Sequence, residues 1–153
     1  QATPLIHPDE PVMIGLPDTI WFPADALRAL PDDRLSFLLF PVEHPESFDA
    51  VVLDDDDRVQ EIQVKRSDAQ SNWIWGAFKI PGAVLHALNR LWLERVPRDE
   101  YVGTLINAYL RQGGDAVGVR AGQSYVDVGT LHGYREAVAL LSQGANRPQR
   151  MSA

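Results

Sequence analysis

Apolar residues fall in short clusters along the chain, and their spacing switches between strand-like and helix-like. Pro11 to Leu16 is an apolar run bounded by prolines and predicts a buried strand, with Pro17-Asp18-Thr19 at its C-terminal end. Pro23 to Leu30 predicts a short helix: Pro23 suits the first turn, Leu27 and Leu30 share a face, and Pro31-Asp32-Asp33 breaks it. Leu35 to Val42 is apolar without interruption, which predicts a strand buried on both faces. His44 to Phe48 reads as a loop. Ala50 to Leu53 and Arg58 to Lys65 flank the run Asp54 to Asp57, the pattern of a hairpin, with Ile62 and Val64 alternating against Gln63 and Lys65. After a polar loop over Arg66 to Ser71, Asn72 to Ile80 predicts a further strand. Gly76 in its middle predicts a bulge or a close backbone approach.

Helical spacing then takes over. Val84, Leu85, Leu88, Leu91 and Trp92 share one side of a helix predicted over Pro81 to Arg95. A second runs from Asp99 to Arg111 with Val102, Leu105, Ile106 and Tyr109 facing inward, and Gly113-Gly114 stops it. Ala116 to Arg120 and Ser124 to Val128 predict short strands around an Ala121-Gly122 turn. Thr130 is an N-cap for a last helix to Leu141, with Tyr134, Val138 and Leu141 on its buried face. The order predicts an α/β chain with a mixed sheet. It forms one domain over residues 1–141, followed by a polar tail over 142–153, and shows no internal repeat.

Composition narrows the function. The chain has 153 residues, enough for one domain with a sizeable core. No run of about 18 apolar residues is present, so no membrane-spanning helix is expected. The first ten residues do not read as a signal peptide. Cysteine is absent, which excludes disulfides and thiolate metal sites and fits a reducing cytoplasm. The formal net charge of −7 leaves no basic footprint for nucleic acid. An anionic phosphate substrate must then be met by a few placed cations or a metal. The chain begins with Gln1, and the phosphate-binding strand–turn–helix that opens a doubly wound sheet has no counterpart. The expectation is a chain lacking an N-terminal half.

Two aspartates stand at strand ends, where ligands collect in open α/β sheets: Asp18 after the first strand and Asp127 before the last helix. Converging there, they can hold Mg²⁺, which takes oxygen ligands and bridges to phosphates; the competing reading makes both of them turn residues. Lys65 ends an amphipathic strand and can meet a phosphate as a point charge, or it is a solvated lysine. Asp54 to Asp57 contains the Asp-x-Asp spacing that binds a divalent ion in sugar-nucleotide-using glycosyltransferases, but a solvated hairpin turn accounts for it as well. His7, His44, His86 and His132 show no metal-ligand spacing and read as surface or boundary residues. Trp73 and Trp75 alternate on one strand, either as a stacking platform or as core.

Together these segments resemble the sugar-phosphate nucleotidylyltransferases, a family that includes glucose-1-phosphate thymidylyltransferases and mannose-1-phosphate guanylyltransferases. Val12-Met13-Ile14-Gly15-Leu16-Pro17-Asp18-Thr19 is similar to the family's apolar strand ending in Gly-Asp, with Pro17 in place of the glycine. Pro45-Glu46-Ser47-Phe48-Asp49 before Ala50-Val51-Val52 resembles Pro-x-x-Tyr-Gly-Val-Val, and Val64-Lys65-Arg66 stands where Glu-Lys-Pro is usual. Gly76-Ala77-Phe78 resembles the glycine, apolar and aromatic strand. Tyr125-Val126-Asp127-Val128-Gly129-Thr130, followed by Glu136-Ala137, resembles Trp-x-Asp-x-Gly-Thr and its helix. The resemblance runs from about Pro11 to Leu141. It implies a Rossmann-like nucleotidyltransferase fold and an enzyme that joins a nucleoside triphosphate to a sugar 1-phosphate with release of pyrophosphate. It also implies Mg²⁺ held by Asp18 and Asp127, catalysis and phosphate contact by Lys65, substrate contacts from Asp49 and Gly76, and a possible homo-oligomer.

The departures are informative. Val64 replaces a glutamate expected to hold sugar hydroxyls, and Asp49 replaces a glycine whose backbone approaches the sugar. Asp99-Glu100-Tyr101-Val102-Gly103-Thr104 only loosely resembles Glu-x-Glu-Ile-Thr-Asp. The family's Gly-x-Gly-x-Arg loop and its following lysine are absent from this sequence, so the isolated chain is expected to be inactive. A non-catalytic binding or oligomerisation module derived from the fold is the alternative, and a metal-dependent glycosyltransferase is another.

Overall fold

A computed structural model describes residues 3–96 and 98–145. The strands are β1 (Pro11–Gly15), β2 (Thr19–Phe22), β3 (Leu35–Pro41), β4 (Asp49–Leu53), β5 (Val59–Val64), β6 (Trp73–Pro81), β7 (Ala116–Val119) and β8 (Ser124–Asp127). The helices are α1 (Gly82–Glu94), α2 (Val102–Arg111) and α3 (Leu131–Ala145). Six strands make the main sheet in the order β5-β4-β6-β3-β7, with β1 also paired to β6; β2 and β8 make a second, two-stranded sheet. The β3–β7 pair is parallel and the other pairings are antiparallel, so the sheet is mixed.

The uninterrupted apolar run of β3 is buried from Leu35 through Phe40, because both faces of this inner strand are covered. One face carries Phe37, Leu39, Trp75 and Phe78, packed under Leu88 of α1 and Ile106 of α2. The other carries Leu38, Phe40, Ile74 and Ala77, covered by Trp21 and Tyr125 of the small sheet and by Leu30. The molecule is therefore layered as helices, main sheet and small sheet.

Gly76 does what an interior strand glycine predicts. In the β3–β6 register Leu38 faces Ala77 and Leu39 faces Trp75, so Gly76 is the extra residue of a bulge. A Cβ there would come within 2.6 Å of the Tyr125 ring and 2.8 Å of Phe40. The glycine is the space that lets the small sheet lie on the large one.

Three expectations are corrected. Pro23 to Leu30 holds only a 3₁₀ turn over Ala26–Ala29, too short to become an α-helix between two proline breaks. The preceding residues form β2, a strand too short to show a pattern of its own. The last helix runs to Ala145, beyond Leu141, and Tyr134, Val138 and Leu141 are exposed; Gly133 and Ala137 face inward. Small residues win this face because the first turn of α3 lies directly on the Asp127 carbonyl, where a Cβ at Gly133 would collide. The expected tail after 145 lies outside the described residues.

Candidate functional site

The small sheet brings the two strand-end aspartates together. In the β2–β8 register Thr19 faces Asp127, and the Val128 N–H donates to the Asp18 carbonyl at 2.8 Å. Residues more than a hundred positions apart thus become neighbours. Gly129 lies between their carboxylates: a Cβ on it would sit 2.9 Å from Asp127 Oδ1 and 3.6 Å from Asp18 Oδ2. Both carboxylates thus approach the same side of Gly129. Asp127 Oδ1 also accepts the Gly129 N–H at 2.7 Å, and Thr130 Oγ1 accepts the Gly133 N–H at 3.0 Å, capping α3 as its sequence predicts. Asp127 is both a turn residue and a presented carboxylate, so its two readings are compatible.

Lys65 follows the end of β5 with φ of 45°, a left-handed conformation that costs an ordinary residue about 1–2 kcal/mol. Its N–H still donates to the Phe48 carbonyl at 3.1 Å, continuing the hairpin. Among the described residues its ammonium makes no ion pair. Asp49 opens β4 directly opposite Val64. Burial pushes its carboxyl above the usual carboxylate range, against the opposing pull of the Lys65 charge. The Trp75 indole N–H is buried without a hydrogen-bond partner, yet lies near enough to Asp49 to favour its charged form.

Asp18, Asp49, Lys65 and Asp127 line one cleft of about 310 Å³, together with Trp75, Tyr125, Glu100 and Tyr101. That is the lower end of the size of small-molecule sites. Tyr125 is pushed up to about 12 by burial first and by the Asp127 charge next, so it stays a neutral phenol. Gly76 stands apart from the other expected site residues: it lies behind the Tyr125 ring and not on the cleft wall. A roomier groove of about 460 Å³ lies between β5 and α2, but Arg58 there is paired to Asp115 at 3.0 Å, and it contains none of the residues singled out above.

The helix expected over Asp99 to Arg111 starts only at Val102, and the loop before it supplies Glu100 and Tyr101. Asp99 accepts the Tyr101 N–H at 3.0 Å and the Thr104 hydroxyl at 2.5 Å, and these bonds hold its carboxyl below the usual range. This turn lies ahead of the helix, which starts at Val102 after an extended Tyr101, and residues 100 and 101 line the cleft. An aspartate five residues before a threonine at the head of an apolar repeat is the signal that could have revealed it.

The remaining candidates are accounted for structurally. Asp54 Oδ1 accepts the N–H groups of Asp56 and Arg58, and Asp57 takes a left-handed φ of 59° and pairs with Arg120. The four aspartates build the hairpin turn and are not part of the cleft. Trp75 packs edge-on against Phe37 and Phe78, and the Arg120 guanidinium covers Trp73. His7 and His44 are exposed, and His86 Nε2 meets the Ile6 carbonyl at 2.8 Å. Among the described residues no group of three or more His, Cys, Asp or Glu could hold a metal, so Asp18 and Asp127 stand as a pair. No helix among these residues is long and apolar enough to cross a membrane.

No protein-family model matches this chain, and no curated protein matches it. Solved structures do. A chain described as a glucose-1-phosphate thymidylyltransferase from Bacillus anthracis, in complex with sucrose, superposes with a TM-score of 0.71 at 20% identity over 91% of this chain. The inositol-1-phosphate CTP transferase from T. maritima superposes with a TM-score of 0.73 at 15% identity over 99% of this chain. The chain has the nucleotidyltransferase fold. Within that fold it spans 57% and 61% of the length of the two solved chains. The ordered motifs from Pro11 to Leu141 thus lie on a nucleotidyltransferase framework, and the cleft of Asp18, Asp49, Lys65 and Asp127 is set in it.

Proposed function

We propose that the cleft is the phosphate-acceptor side of a nucleotidyltransferase that joins a nucleoside triphosphate to a sugar 1-phosphate. The observation that supports this reading is the convergence of Asp18, Asp127 and Lys65, from three separate strand ends, on one cleft. Two carboxylates flanking an open space suit Mg²⁺, which usually completes its shell with water and substrate phosphates and needs no all-protein cage. When bound, the ion would offset charge on the phosphoryl oxygens. Lys65 orients the sugar phosphate, and Tyr125 walls the cleft as a neutral ring. A phosphate oxygen of the sugar phosphate forms the new bond to the α-phosphorus in line, and the bond to the departing pyrophosphate breaks. The triphosphate itself needs a loop of backbone N–H donors that this sequence does not contain. The isolated chain is therefore proposed to bind the acceptor without turning over.

Calorimetry of this chain with Mg²⁺ and either glucose 1-phosphate or inositol 1-phosphate tests the reading. Binding of at least one should require Mg²⁺ and should be lost in Asp18→Asn and in Asp127→Asn. Equal affinity in both variants would remove the metal assignment. In a protein that also carries the nucleotide loop, Asp127→Asn should abolish pyrophosphate release.

A further inference from the structure

The cleft carries more negative charge than a phosphorylated polyol needs. Asp18 and Asp127 face the open space suited to a divalent ion, but Asp49 and Glu100 lie elsewhere on the wall, and among the described residues Lys65 is the one basic residue lining it. A neutral sugar phosphate brings only further negative charge. Asp49 is the group this imbalance affects most, because it is half-buried in β4 opposite the aliphatic Val64 and so has lost much of its water. Its neighbours hold it in place. A Cβ on Gly103, in the first turn of α2, would lie 3.4 Å from Asp49 Oδ2, so the carboxylate sits at the positive end of that helix. The indole N–H of Trp75, a residue only 8% exposed, lies near it on the sheet side and has no hydrogen-bond partner among the described residues. Four aromatic residues line the same cleft: Trp75, Tyr101, Tyr125 and Phe48, the last edge-on to Tyr125 at 5.8 Å. A desolvated carboxylate among aromatic rings is the environment that recognises an organic cation, by charge pairing and by attraction to the ring faces.

We infer that the acceptor bound in this cleft carries an ammonium group, as an amino-sugar phosphate or a phosphorylated amino alcohol does, and that Asp49 is the residue that selects it. This rests on the phosphate-acceptor reading above and names its substrate class. Lys65 and the divalent ion hold the phosphate end, while Asp49, with Glu100 at the mouth, holds the ammonium end. Each charge of a zwitterionic acceptor then meets its opposite.

The test uses pairs of probes that differ only in this charge, measured by calorimetry on the full chain with Mg²⁺: glucosamine 1-phosphate against glucose 1-phosphate, and phosphocholine against 3,3-dimethylbutyl phosphate. In at least one pair the cationic member should bind about tenfold or more tightly than its neutral isostere. Asp49→Asn, which keeps the size of the side chain, should reduce that preference to less than about threefold. If the probes bind with equal affinity within both pairs, the inference falls while the phosphate-acceptor reading stands. If no probe binds, both fall. If Asp49→Asn weakens Mg²⁺ binding and leaves the preference intact, Asp49 is a metal ligand and the inference is wrong.

Discussion

Two residues of the cleft hold conformations or charges that do not favour the fold, and each makes a prediction. Lys65 occupies a left-handed backbone position with a side chain. Strain kept at such a place is a mark of function. Lys65→Gly should raise stability by about 1 kcal/mol, read by urea denaturation, while weakening phosphate binding. A stability gain with unchanged phosphate affinity would show that the lysine is incidental. Asp49 has a carboxyl raised by burial. The folded chain therefore prefers it protonated, and ionised Asp49 costs stability at every pH above its raised value. As pH falls through that value toward the ordinary carboxylate range, the cost disappears. Asp49→Asn should thus raise the Tm at pH 7, and the gain should shrink as the pH is lowered toward the ordinary carboxylate range. Asp18, Lys65 and Asp127 were legible as residues because charge at the end of an apolar run is a visible anomaly. Trp75 was not legible as a neighbour of Asp49: the two approach each other only across the β4–β6 pairing, and no spacing in the sequence encodes that.

At the level of elements, the strands that read clearly were those with a two-sided or alternating pattern. β3 is continuous because both faces are covered, whereas β5 alternates in sequence but not in burial, since Gln63 is buried beside Ile62. β5 is also the sheet edge, and Asn107 of α2 closes it by accepting the Ile62 N–H at 2.8 Å and donating to the Ile62 carbonyl at 2.7 Å. Asn107→Ala should leave both backbone groups unpaired at a cost of about 1–3 kcal/mol, and hydrogen exchange at Ile62 should quicken. Unchanged protection there would mean the edge is held by packing alone. The elements that misread were set by contacts outside themselves. β2 is a strand because β8 lies beside it, and α3 turns its small residues inward because its first turn rests on Asp127. Hydrophobic periodicity reports a face, but where backbones touch, glycine and alanine decide instead.

On the scale of the whole molecule, the α/β order and the mixed sheet followed from the element sequence, and the solved neighbours have the same architecture. The layer of the small sheet was not legible, since it pairs the segment before β3 with the segment after β7. A divalent ion held between Asp18 and Asp127 would stabilise the fold as any ligand of the native state does. At tenfold over its Kd, Mg²⁺ should add about 1.4 kcal/mol, a Tm rise of roughly 3–6 °C for a chain of this size. Asp127→Asn should abolish the rise in a thermal scan, and an undiminished rise would place the ion elsewhere.

The pairing of β2 with β8 also carries a consequence for how the protein is made. Asp18 leaves the ribosome before Asp127, and among the described residues β8 follows every other strand in chain order. Until Ser124 to Asp127 emerge, the main sheet can assemble with its Phe40 face uncovered and with half of the acidic pair missing. In this order of synthesis the Asp18–Asp127 pair can form only after every strand of the main sheet has been made. A ribosome stalled before Ser124 would present the strands of the main sheet without the acidic pair.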